Sequence, residues 1–92
     1  MKEKFKDISV DKDTLIIDSM EVNIETHEAI YQKWHWDGIH GDSIIFCNED
    51  IDELSEEQIK NQVKNTKLFN TNSQITFIKG EKYTFVNFNF TI

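Results

Sequence analysis

Six carboxylates crowd into one short stretch of this chain, Asn48 to Glu57: Glu49, Asp50, Asp52, Glu53, Glu56 and Glu57, with no lysine among them. Acids this dense can hold a cation, cleave a glycosidic bond as a pair, or present a negative surface to a basic partner. Asn48-x-Asp50-x-Asp52 resembles the opening of a calcium loop. Glu53, however, stands where that loop needs glycine, and Ile59 stands where it needs a bidentate glutamate. Paired-carboxylate hydrolysis requires a cleft between the two acids, and no segment of the sequence reads as cleft-forming. Two readings remain. The run is an ordinary solvated helix start, where the macrodipole favours acids, or it is an anionic docking surface that imitates nucleic-acid phosphates or meets a basic groove.

The second chemically dense stretch is Trp34-His35-Trp36-Asp37-Gly38-Ile39-His40-Gly41-Asp42. On a strand, Trp34 and Trp36 share a face. They serve either as core packing or as an interface anchor, since tryptophan is enriched in binding hot spots. His27, His35, His40 and Cys47 invite a metal reading, but seven, four and six residues separate them. Structural zinc uses tighter pairs, and there is no C-x-x-C. Cys47 ends the apolar run Ile44-Ile45-Phe46 and reads as a small buried hydrophobe rather than a nucleophile. The three glycines, Gly38, Gly41 and Gly80, fall at turns and form no phosphate loop. The sequence therefore nominates no catalytic residue, no metal site and no cofactor.

These residues must be positioned by mixed elements, because the hydrophobic period changes several times along the chain. Residues 5–10 fit a short helix or a strand. Residues 14–18 read as a strand. From Met20 to Thr26 the alternation is strict, with Met20, Val22, Ile24 and Thr26 on one side and Glu21, Asn23, Glu25 and His27 on the other. Residues 28–36 fit a helix through Ile30 and Trp34, four apart, or a strand through Trp34 and Trp36, two apart; the Asp37-Gly38 hairpin turn that follows favours the strand, and Ser43 to Cys47 reads as a buried strand. Residues 55–68 read as a helix. Ser55 and Gln58 form a capping box, Leu54 and Ile59 a hydrophobic staple, and Ile59, Val63, Thr66 and Phe69 the buried stripe. Residues 74–90 read as a hairpin around Lys79-Gly80-Glu81-Lys82, with Gly80 supplying an unusual dihedral and Ile78 opposite Tyr83. One of its faces carries Ile75, Phe77, Val86, Phe88 and Phe90, and the other carries Ile78, Tyr83 and Phe85. The expected fold is α+β: one domain over residues 1–92, a small antiparallel meander of about four to six strands, packed against one main helix at about 55–68.

Composition narrows the function. With 92 residues, 38% of them apolar and 29% charged, the chain folds but builds only a thin core, which leaves no room for a large enclosed pocket. No apolar run spans a bilayer, and Met1 to Asp7 lacks the apolar stretch of a signal peptide. A single cysteine excludes an internal disulfide, so the cytoplasm is the expected compartment. A net charge of −7 disfavours nucleic acid and anionic membranes as direct partners and favours a basic protein. All ten basic residues are lysine, and proline is absent. Together with abundant Asn and Ile, this composition suggests an AT-rich genome such as that of a low-GC bacterium or its phage, and in the phage case the host cytoplasm is the compartment.

The expectation that follows is a non-enzymatic acidic binding protein. It would inhibit a basic partner, such as a nuclease or another nucleic-acid-binding effector, by occluding its nucleic-acid surface in the manner of anti-CRISPR or anti-restriction factors. Glu49, Asp50, Asp52, Glu53, Glu56 and Glu57 would supply the charge, and Trp34, Trp36 or Tyr83 the aromatic anchor. The alternatives are an immunity-type protein that neutralises a basic toxin nuclease, and a homo-oligomeric structural or assembly protein, for instance a homodimer built on the exposed face of the C-terminal hairpin.

Overall fold

The computed structural model describes residues 15–24 and 27–91. The ambiguous segment 5–10 lies outside them, as do Thr14, Glu25 and Thr26. The elements are β1 (Leu15–Ile24), β2 (His27–Trp36), β3 (Ile39–Cys47), α1 (Asn48–Ile51), α2 (Glu56–Lys64), β4 (Thr76–Lys79) and β5 (Tyr83–Thr91). All neighbouring strands pair antiparallel, in the order β1-β2-β3-β5-β4. The meander thus holds through β3 and is then interrupted. The helical segment carries the chain past one strand position, β4 lands at the edge, and β5 returns to fill the gap.

The β2–β3 turn forms where Asp-Gly predicts it. Trp36 pairs with Ile39, and both intervening residues have positive φ, 50° at Asp37 and 79° at Gly38. That is the primed two-residue turn whose twist matches the flanking strands. The β1–β2 register places Ile24 opposite His27. Residues directly opposite share a face, so His27 shares the side of Ile24 rather than that of Asn23, because the chain reverses between them.

One sheet face forms the core. Ile24, Ala29, Tyr31, Ile44, Phe46, Val86 and Phe88 are buried there against Ile51, Ile59 and Val63 of the helices. The capping box is present: Gln58 N–H donates to Ser55 Oγ at 3.2 Å, and Ser55 N–H donates to Gln58 Oε1 at 2.8 Å. Leu54 packs against the same cluster as Ile59. The main helix expected over 55–68 is only the nine residues of α2, and a second short helix, α1, precedes it outside that range. α2 ends at Lys64, where the Asn65 N–H reaches the carbonyls of the last turn and the Thr66 hydroxyl donates to Val63 O at 2.7 Å. The Thr66 side chain competes in this way with continued helix, so Thr66 and Phe69 lie beyond the helix, half-buried.

The β4–β5 hairpin has a longer loop than the sequence suggests. Ile78 pairs with Phe85 and Lys79 with Thr84, a slip of two residues that leaves the alternation of faces intact. Gly80 does not carry a positive φ, because the longer loop needs no left-handed pair. A Cβ at Gly80 would instead stand 3.1 Å from the Tyr83 carbonyl, which accepts from Gly80 N–H at 2.8 Å.

Phe90 is the other departure. Opposite β3, the register jumps between Asp42–Phe88 and His40–Thr91, so Asn89 and Phe90 together face Gly41. Asn89 takes φ 58° in this bulge. The extra residue turns Phe90 away from Phe88, and it meets the Trp34 ring edge-on at 5.7 Å. Trp34 also lies directly over Gly41, where an added Cβ would come within 2.4 Å of its ring.

Candidate functional site

The acidic run folds as a corner between β3 and α2. Asn48 clamps it to the β4–β5 loop. Its backbone N–H donates to Lys82 O at 2.8 Å and its side-chain amide to Gly80 O at 2.9 Å, while its Oδ1 accepts from Thr84 Oγ1 at 2.6 Å. Leu54 N–H closes the turn after α1 onto Ile51 O at 3.0 Å. Ile51 is buried beneath the corner, and the capping box fixes its far side. The corner therefore has a rigid frame although α1 is a single turn.

On that frame Glu49, Asp52, Glu53, Glu56 and Glu57 are exposed, and Asp50 is half-buried with a bonding partner of its own. None of the five exposed carboxylates is ion-paired with a described residue. Between Asp52 and Glu56 opens a small groove of about 100 Å³, floored by Ile51, Leu54, Ile59 and Phe77 and edged by Lys79. Lys60 places its ammonium 6.0 Å from the centre of the Phe77 ring. The corner thus offers negative charge around a small apolar floor.

The three aromatic candidates separate. Tyr83 pairs with Cys47, the residue before α1, and so adjoins the corner. Trp34 and Trp36 pair with Gly41 and Ile39 at the opposite end of β3. Gly41 and Cys47 are six strand steps apart, about 20 Å. The Trp34 ring is half-buried between Phe90 and Gly41. By register Tyr83 lies at the end of β3 that leads into the acidic run, on the sheet face of Cys47 and Ile45, and the tryptophans lie at the other end.

The histidines and Cys47 do not converge. His35 and His40 stack across β2 and β3 with ring centres 5.3 Å apart, while His27 and Cys47 belong to the other end of the sheet. Among the described residues no three His, Cys, Asp or Glu side chains are grouped as a metal site requires. Cys47 is half-buried rather than part of the core.

Sequence reasoning missed one polar cluster. Tyr31 OH donates to Asp42 Oδ1 at 3.0 Å. The Asn89 amide donates to Asp42 Oδ2 at 2.8 Å and to Leu68 O at 2.6 Å. Asn89 Oδ1 accepts from Asn70 N–H at 2.8 Å, and Asn89 N–H donates to Ser73 Oγ. Beside this cluster an open depression of about 690 Å³ is lined by residues 70–74, Asn89 and Phe90, none of them charged. The four-way use of Asn89 makes the cluster a structural tie between β5 and the loop after α2. The only sequence signal for it was an asparagine inside an aromatic strand.

No helix among the described residues is long and apolar enough to cross a membrane. No family model, curated protein or solved structure matches the chain.

Proposed function

We propose that this protein is a small acidic binding protein that inhibits a basic partner by occupying the surface the partner uses for nucleic acid. One observation carries the reading: five exposed carboxylates, unpaired with any described residue, stand on one clamped corner. Charge concentrated on a rigid element steers a basic surface into contact and opposes wrong partners. Side chains in a fixed frame also lose less freedom on binding than those on a loose loop.

In this reading Glu49, Asp52, Glu53, Glu56 and Glu57 take the place of phosphates in a lysine- or arginine-lined groove. The groove between Asp52 and Glu56 receives the aliphatic stem of one such side chain. Tyr83 is the aromatic anchor beside the corner, and the half-buried Asp50 adds to the local charge. Trp34 and Trp36 would join only with a partner wide enough to reach the far end of the sheet. The partner class is a nuclease or other nucleic-acid-binding effector, as in phage anti-CRISPR or anti-restriction proteins. An immunity protein against a toxin nuclease would use the same contact.

The test takes a basic protein captured by the tagged chain and measures its nucleic-acid binding as the chain is titrated in. Competition that weakens as salt is raised supports occlusion. Unchanged nucleic-acid binding at saturating chain overturns it.

A further inference from the structure

The depression beside the Asn89 cluster has a chemistry of its own. Its volume, about 690 Å³, lies within the range of small-molecule sites, about 300–1,000 Å³. None of its lining residues is charged, although 29% of the chain is. Asn70, Thr71, Asn72 and Gln74 are exposed, and their side chains bond to no described residue. Each of these three amides offers an acceptor and two donors, and the hydroxyl offers both. Phe90 adds an aromatic surface. It is 41% exposed, the one exposed phenylalanine among the described residues, and Trp34 braces it with ring centres 5.7 Å apart. The wall is also held in place. Asn70 N–H donates to Asn89 Oδ1 at 2.8 Å, Ser73 N–H donates to Asn70 O at 2.9 Å, and Asn89 N–H donates to Ser73 Oγ. The frame thus uses the loop's backbone with the Asn89 and Ser73 side chains, and leaves the other polar side chains to a ligand.

We infer that this depression binds a neutral saccharide. A charged ligand would give up its hydration with no opposite charge in the lining to receive it. A wholly apolar ligand would strip water from three amides and a hydroxyl and return no hydrogen bond. A sugar meets both demands. Its neighbouring hydroxyls donate and accept as the amides and Thr71 do. Its C–H face, weakly positive, lies against the negative face of an aromatic ring such as Phe90. The depression is open, so the outer hydroxyls of the sugar stay in water. A pre-formed frame saves ordering cost, but one ring and a few exposed amides hold a ligand weakly, with a dissociation constant of about 1 mM. Asn89 faces Gly41, at the end of β3 away from the acidic corner, so the inference survives if that reading fails.

The test titrates the isotopically labelled full chain with neutral trisaccharides of α-linked glucose, β-linked glucose, galactose, mannose and N-acetylglucosamine, to about 20 mM, well above the expected constant. At least one should shift the amide signals of residues 70–74 and the Phe90 ring signals saturably, and leave Val63 and Glu56 unmoved. Inorganic phosphate at the same concentration should shift none of them. Phe90→Ala should weaken the binding several-fold and Phe90→Tyr should retain it, since the ring face is kept. Because Phe90→Ala also frees Trp34, the Asn72→Ala, Gln74→Ala variant is a second arm. It alters only exposed side chains without described partners and should weaken binding several-fold with an unchanged urea midpoint. No saturable shift from any of the five sugars overturns the proposal. Equal shifts from phosphate, or binding unchanged in both Phe90→Ala and the double variant, overturn it as well.

Discussion

The side-chain amide of Asn89 donates to Asp42 Oδ2 at 2.8 Å, across the point where β5 carries one residue more than β3. The bulge and the bond require each other. Only with the extra residue does Asn89 turn toward Asp42, and only a side chain that tolerates positive φ can occupy the position. Replacing Asn89 separates the two contributions. Asn89→Gly keeps the backbone and loses the side-chain bonds to Asp42, Leu68 and Asn70. Asn89→Ala loses the bonds and adds left-handed strain at φ 58°. Urea unfolding should show the glycine variant destabilised by about 1–3 kcal/mol, and the alanine variant by about 1 kcal/mol more. Equal losses for the two would remove strain from the account.

Gly41 gives a second prediction. A methyl group there would stand 2.4 and 2.7 Å from two atoms of the Trp34 ring. The ring cannot simply slide away, because Phe90 meets it edge-on. Gly41→Ala should cost about 1–3 kcal/mol through overpacking and should alter the near-ultraviolet dichroism of the indole. Adding Phe90→Ala should recover part of the loss by giving the ring room. Two effects that simply add would show that Phe90 does not confine Trp34.

The parts of this fold written in short range were legible. Asp37-Gly38 announced its turn because two adjacent positive φ angles have few sequence solutions. Ser55 and Gln58 announced the start of α2 because the capping box is closed within four residues. What was hidden depends on distant partners. The alternating Asn87-Phe88-Asn89-Phe90 reads as uninterrupted strand, and nothing local marks the bulge that turns Phe90 around. The placement of β5 between β3 and β4 is decided by cross-strand packing, not by either strand alone. At the site, the acidic run was plain in the sequence. Its rigidity was not, because the Asn48–Thr84 bond joins residues 36 positions apart.

The capping box supplies a third prediction. Ser55→Ala removes the acceptor for the Gln58 N–H and leaves an unpaired donor at the start of a nine-residue helix. The loss should be about 1 kcal/mol, read as a lower urea midpoint with an unchanged slope. Ser55→Asp should retain most of the stability, since aspartate also caps well. If Ser55→Ala is neutral, the corner is held by Asn48 and Ile51 alone.

Asn48 tests whether frame and charge act separately. Asn48→Ala breaks the side-chain clamp to Gly80 and Thr84 and removes no charge. Its net charge equals that of the unaltered chain, so long-range steering toward a basic partner should persist. The presentation of the carboxylates should suffer instead. Association should therefore change little while dissociation quickens. Neutralising Asp50, Asp52, Glu53 and Glu56 to their amides should do the reverse, slowing association about tenfold at low salt with a smaller change in dissociation. Tyr83→Ala, beside the corner, should raise the dissociation rate as loss of an aromatic anchor does. Stopped-flow association at two salt concentrations, followed by competition to read dissociation, resolves all three variants. Should the four-amide variant associate as fast as the original at both salts, the corner is only the solvated start of α2 and the proposed inhibition has no electrostatic basis.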